Sequence, residues 1–153
     1  MSNLEDLYRE IILDHYRSPR NRGELPSPPA IRVEGFNPLC GDELVVYLNV
    51  QDGVLVDLKI TGHGCSISQA SSSLMSTAVK GKSVEKVREA IDTFKQLMTV
   101  HESTLEHDGE PAKVDLRAIG ELAALQGVVK FPVRIKCATL AWNTLGQGLD
   151  ELA

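Results

Sequence analysis

Between Ile31 and Ile60 the apolar residues recur at every second position, and this alternation restricts the chain to a sheet with one buried face. Ile31, Val33 and Gly35 form the first set, Leu44, Val46, Leu48 and Val50 the second, and Val54, Val56, Leu58 and Ile60 the third. Gln51-Asp52-Gly53 separates the last two. Aspartate and glycine accept the positive φ of a type I′ turn, so those runs are expected to form a hairpin in a largely antiparallel sheet.

Outside this region the period is helical. Leu4, Leu7, Tyr8, Ile11, Ile12 and His15 mark an amphipathic helix over 3–16, with Ser2 and Glu5 placed as a capping box. Residues 17–30 hold four prolines, one glycine and three arginines, which predicts an extended, mobile surface segment tying helix to sheet. After Thr61-Gly62-His63-Gly64, Ile67, Ala70, Ser71, Leu74, Met75 and Ala78 share one side of a helix ending at Lys80-Gly81. Ser83 caps another bearing Val84, Val87, Ile91, Phe94 and Met98.

The stretch HESTLEHDGEP at 101–111 lacks a period and reads as an exposed connection. Leu116, Ile119, Leu122 and Leu125 mark a short helix, and Pro132 suits the first turn of the last one. Its apolar stripe comprises Val133, Cys137, Leu140, Ala141, Thr144, Leu145, Gly148, Leu149 and Leu152. Strands first and helices later predict an α+β fold: a small three-stranded antiparallel sheet with helices on one face, plus the N-terminal helix. At 153 residues the chain is expected to form one domain spanning 1–153.

A formal charge of −5 argues against a nucleic-acid partner, whose phosphates need clustered lysine and arginine. The start MSNLEDLYRE lacks the basic and apolar blocks of a secretory signal. No apolar run approaches the roughly 20 residues of a membrane span, so a cytoplasmic protein without a membrane partner is expected. Its three cysteines, at 40, 65 and 137, are odd in number and far apart, unlike a secreted disulfide framework. They read as free thiols or metal ligands.

Each cysteine has a different setting. Cys40 sits in a turn between Pro38 and Gly41, where packing gives little reason for a thiol. Cys65 opens a helix, whose unsatisfied N–H groups and positive dipole end favour a thiolate. Cys137 has Arg134 and Lys136 beside it, but its place on the apolar stripe, taken alone, suits a small buried hydrophobe. A strand-edge turn, a strand-to-helix junction and a helix start can meet at one end of an α+β layer, with Asp42 as fourth ligand. Three thiolates and a carboxylate suit tetrahedral Zn²⁺, and sulfur ligands equally admit an iron–sulfur cluster. The excess negative charge would be offset by Arg134, Lys136 and the helix N-terminus.

Other positions carry less. His63 reads as a competing ligand, a proton carrier or an idle turn residue, His101 and His107 as surface residues, and His15 as a packing residue. The serines of SISQASSSLMS lack a Gly-x-Ser-x-Gly elbow and read as small residues on a helix close to the sheet. The Gly-His-Gly sequence is no phosphate-loop fingerprint.

NPLCGDELVVYLNV, ITGHGCSISQASSSLMSTAVKGKS and PVRIKCATLAWNTL, with LYREIILDHYRSPRNRG before them, closely resemble the IscU/SufU family of iron–sulfur cluster assembly proteins, related to the N-terminal domain of NifU. The resemblance covers nearly the whole chain. It implies one exposed site formed by Cys40, Asp42, Cys65 and Cys137. Lys136 stands where IscU-like members have a histidine, and the segment at about 99–113 is expanded. Both features resemble the SufU branch, whose members bind Zn²⁺ and relay persulfide sulfur from a cysteine desulfurase to a downstream cluster scaffold or apo iron–sulfur protein. The resemblance thus implies a zinc-bound sulfur acceptor; the mobility expected of Cys40 between Pro38 and Gly41 makes it the expected persulfide acceptor, with Arg134 and Lys136 as supporting charges. The alternatives are a scaffold holding a transient [2Fe–2S] cluster on Cys40, Cys65 and Cys137, and a structural zinc-binding interaction module. Between them they leave open whether the chain is a sulfurtransferase-like relay enzyme or a non-enzymatic scaffold.

Overall fold

The computed structural model describes residues 3–27, 29–38, 41–106, 124–125 and 132–151. Its elements run α1 (Asn3–Arg17), β1 (Ile31–Asn37), β2 (Asp42–Gln51), β3 (Val54–His63), α2 (Ser66–Val79), α3 (Val84–Glu106) and α4 (Pro132–Asp150). The strands lie in the order β1-β2-β3, antiparallel at both junctions, which is the expected α+β arrangement. Asp52 and Gly53 take φ of 53° and 77°, the backbone a type I′ hairpin turn requires.

One strand departs from simple alternation. Asn49 pairs with Asp57 while Val50 pairs with Leu55, so Val56 is the extra residue of a β-bulge. The bulge reverses parity near the hairpin. Leu55 is fully buried and Val56 is 41% exposed, the opposite of the expected pattern. Beyond the bulge, Leu58 and Ile60 face the core as expected.

The buried face of the sheet, with Val33, Leu44, Val46, Leu48, Leu58 and Ile60, joins one core with Leu74, Met75 and Val79 of α2 and Leu145 and Leu149 of α4. Phe94 of α3 stacks on Trp142 of α4, ring centroids 4.4 Å apart. Trp142 and Ala138, absent from the expected stripe, are fully buried because α4 is enclosed on more than one side. The serine-rich face of α2 permits that closeness: Ser71 Oγ donates to Ala138 O at 2.5 Å and accepts from Trp142 Nε1 at 3.1 Å.

α4 lies close along β1. A Cβ on Gly148 would fall 2.7 Å from Leu48 Cδ2 and 2.9 Å from Val33 Cγ2, and one on Gly35 would collide with Thr144. Val33 thus lies under Gly148 and Gly35 under Thr144, so the N-terminal end of α4 reaches the end of β1.

The segment after α1 is anchored rather than a loose tether. Asn21 O accepts from Ile60 N and Gly23 N donates to Ile60 O, adding a short parallel rung to β3. Arg20 N donates to Ser73 Oγ at 2.9 Å, and Ala30 is buried. The prolines limit sheet pairing here, but the Asn21–Gly23 stretch between them keeps its donors.

α3 starts where Ser83 Oγ accepts the Lys86 N–H at 3.2 Å. It runs on through 101–106, where an exposed connection was expected. No glycine or proline interrupts the chain before Gly109, and each added residue of an existing helix gains a hydrogen bond without a new nucleus. Of the expected short helix only Ala124 and Leu125 are described, both buried. Ser2 and the connection after Glu106 lie outside the described residues. No helix among the described residues is long and apolar enough to cross a membrane.

Candidate metal centre

Three separate elements deliver the site. Asp42 is the first residue of β2 and pairs with Asn37, the last of β1, on the face that carries Leu44 and Val46. Cys65 follows β3 and forms the N-cap of α2: its backbone is extended (φ −69°, ψ 168°) and its sulfur accepts the Ser68 N–H at 3.4 Å. Cys137 lies near the start of α4 and is fully buried. One ligand atom from each of these three residues lies within 4.8 Å of the others. With Zn–S bonds of about 2.3 Å, tetrahedral ligand edges are roughly 3.8 Å, so small side-chain adjustments suffice to hold such an ion.

The carboxylate has one oxygen tied down and one unpartnered among the described residues. Asp42 Oδ1 accepts the Cys65 backbone N–H at 2.8 Å, while Oδ2 is buried with no hydrogen-bond partner among the described residues. A buried carboxylate oxygen without a donor is costly unless a cation meets it. Oxygen and thiolate donors together match Zn²⁺ in kind. Gly64 allows the approach, since a Cβ there would lie 2.5 Å from Asp42 Oδ1.

Arg22 braces the turn that carries Cys65. Its guanidinium donates to Gln69 Oε1 at 2.8 Å and to Gly62 O. Nothing in its proline-flanked sequence marked it. A second residue missed by sequence reading is Asn37, 6% exposed, whose Nδ2 donates to Cys137 Sγ at 3.8 Å. Its signal was present in the alternation Val33, Gly35, Asn37, which continues the inward face to the strand end.

The other expected residues divide clearly. Cys40 lies outside the described residues. Arg134 and Lys136 are exposed on the first turns of α4. His63 is exposed and pairs with Glu43 at 3.1 Å, outside the three-residue cluster. His15 is buried, its Nδ1 2.7 Å from Ser73 Oγ, as a packed residue should be. His101 lies on α3, and His107 is outside the described residues.

The family model for the NifU-like N terminal domain matches residues 7–138. The zinc-dependent sulfurtransferase SufU of Bacillus subtilis (strain 168) is 43% identical over 150 residues, covering 98% of this chain and 94% of that protein. The iron–sulfur cluster assembly scaffold protein IscU of Streptococcus pyogenes serotype M1 is 37% identical over 153 residues, covering 100% and 89%. Among solved structures, a protein of Fervidobacterium islandicum AW-1 described as an iron–sulfur cluster assembly scaffold for the SUF system aligns with a TM-score of 0.78 at 30% identity, covering 92% of this chain and 94% of that one. The chain therefore belongs to the family of NifU-like N-terminal domains.

Proposed function

We propose that this chain is an iron–sulfur cluster biogenesis protein that binds Zn²⁺ through Cys40, Asp42, Cys65 and Cys137 and accepts sulfur from a cysteine desulfurase. The observation that carries the metal site is the convergence of Asp42, Cys65 and Cys137 around an unpartnered, buried Asp42 Oδ2. The similarity to the Bacillus subtilis sulfurtransferase supports the zinc relay. Cys40 stands two residues before Asp42, so covalent geometry alone keeps its Cα within about 7 Å of that of Asp42.

Bound Zn²⁺ would keep the cysteines as thiolates at neutral pH. The protein's own groups do the rest. Asp42 is clamped by the Cys65 N–H, Cys65 is fixed as a helix cap, and Cys137 is buried on α4. Cys40 stands in the sequence between Pro38 and Gly41, the latter with φ of 69°, and is the ligand assigned to leave. Its thiolate attacks the outer sulfur of the desulfurase persulfide. A new S–S bond forms on Cys40, the donor's S–S bond breaks, and the donor cysteine departs as thiolate. Arg134 and Lys136 supply positive charge near the start of α4 during that transfer. A downstream cluster scaffold or apo iron–sulfur protein then receives the sulfur.

The decisive experiment incubates zinc-loaded protein with a cysteine desulfurase and cysteine, then maps persulfide by mass spectrometry. Persulfide on Cys40, lost in Cys40→Ser, is expected. If Cys40→Ser still stimulated turnover and carried sulfur, the assignment would fail.

The similarity to IscU supports a second reading, in which iron and sulfide are cargo assembled as a [2Fe–2S] cluster on the same residues. Anaerobic purification with metal and sulfide analysis separates the two, since stoichiometric iron and labile sulfide would favour the scaffold.

A further inference from the structure

We propose that Asn37 is a positioning residue for the metal centre, a built-in N–H donor that secures Cys137 as the ligand that stays bound when another departs. This rests on the metal-site reading above and goes beyond it by assigning unequal roles to the ligands.

Asn37 precedes Pro38, and the residue before a proline is held out of the helical region and kept extended. That restraint matters for asparagine, which otherwise favours turns. Strand parity then decides where the side chain points: Val33, Gly35 and Asn37 share the face covered by α4. The seam between β1 and α4 fixes what it meets. Gly148 lies over Val33 and Thr144 over Gly35. Four residues of strand cover about 13 Å, and eleven residues of helix about 16 Å. The register that sets Gly148 on Val33 therefore brings Cys137 to Asn37.

The contact is buried at both ends. Asn37 is 6% exposed and Cys137 fully buried, with Nδ2 donating to Sγ at 3.8 Å. Asn37 also faces Asp42 across the last rung of the β1–β2 ladder, so one carboxamide stands beside two ligand residues. Three thiolates and a carboxylate put excess negative charge around a divalent cation. A buried N–H directed at one sulfur draws charge from it, orients its lone pairs and shields it from solvent. Groups that hydrogen-bond to a metal's ligands in this way typically change affinity by about 10–100-fold when removed. Cys40 remains the ligand that the proposed function assigns to depart.

The test uses the full chain loaded with Zn²⁺ or Co²⁺. Asn37→Ala removes the donor, and Asn37→Leu keeps the branching and volume without a polar atom, so at least one variant retains packing. Zn²⁺ affinity is measured by competition with a chromophoric chelator and is expected to fall about 10–100-fold in both. In the Co²⁺ form the thiolate-to-metal charge-transfer band should move to lower energy, because a sulfur without its donor gives up charge more readily. A purely structural role would lower the melting temperature of the metal-free protein without moving that band. Unchanged affinity together with an unchanged band in the folded variants overturns the proposal. Failure of the wild-type chain to bind Zn²⁺ or to give a thiolate–Co²⁺ band would instead overturn the metal-site reading.

Discussion

Asp42 and Cys65 hold each other in place: the Cys65 backbone N–H donates to Asp42 Oδ1 at 2.8 Å, so the carboxylate and the cap of α2 are positioned by a single bond. Gly64 makes that bond accessible. It has no left-handed φ, so space alone excludes a side chain, with an added Cβ 2.5 Å from Oδ1 and 3.0 Å from Cγ of a fully buried Asp42. Gly64→Ala is therefore expected to push the carboxylate aside and cost about 1–3 kcal/mol of stability, the usual range for overpacking. Zn²⁺ affinity should fall with it. Thermal unfolding and chelator competition measure the two effects, and a Gly64→Ala variant with unchanged metal affinity would show that the clamp is dispensable.

The sheet illustrates how far alternation carries. Period two located all three strands, and Asp52-Gly53 located the hairpin, because both signals are local. The bulge at Val56 was not legible, because an unpaired residue depends on the partner strand's register and leaves no mark in its own sequence. The site divides in the same way. Cys65 at a helix start and Cys137 on an apolar stripe could be grouped with Asp42 from their surroundings, whereas Asn37 and Arg22 act through contacts set by tertiary packing. The bulge has a direct consequence for stability. Leu55→Ala should cost about 2–5 kcal/mol as a core truncation. Val56→Thr should change stability by less than about 0.5 kcal/mol as a surface change. Urea denaturation of the two variants distinguishes this register from the simple alternation, which ranks them the other way.

Asp57 ties β3 to the end of α2 and gives the fold a defined acid sensitivity. Burial pushes its carboxyl up, but the Leu58 N–H at 2.8 Å and Lys80 at 3.2 Å together outweigh burial and hold it below the ordinary carboxylate value. A carboxyl depressed by folding adds stability above its unfolded pKa of about 3.9, and that stability is lost as pH falls through the lower folded value. The ion pair is partly solvated, so the contribution should stay below about 1 kcal/mol. Asp57→Asn, compared with wild type by urea unfolding of metal-free protein, should be less stable near pH 7 and indistinguishable near pH 2. A difference that persists unchanged across that range would assign it to packing instead of charge.

The unpartnered oxygen of Asp42 implies that the metal-free fold is less stable than it need be. Oδ2 is fully enclosed without a donor among the described residues, and leaving such a group unpaired costs about 1–3 kcal/mol, more when it is charged. Asp42→Asn keeps an oxygen to accept the Cys65 N–H and removes the buried charge. The metal-free variant should therefore be at least as stable as metal-free wild type, while the rise in melting temperature on adding Zn²⁺ should shrink, because an amide is a poor ligand beside thiolates. Melting curves of both proteins with and without Zn²⁺ test the two halves together. If the metal-free variant melts well below wild type, Oδ2 has a partner in the folded chain and the site is held open by something other than the need for a cation. If it melts at or above wild type and responds weakly to Zn²⁺, the stability sacrificed at Asp42 is part of what makes the site bind metal.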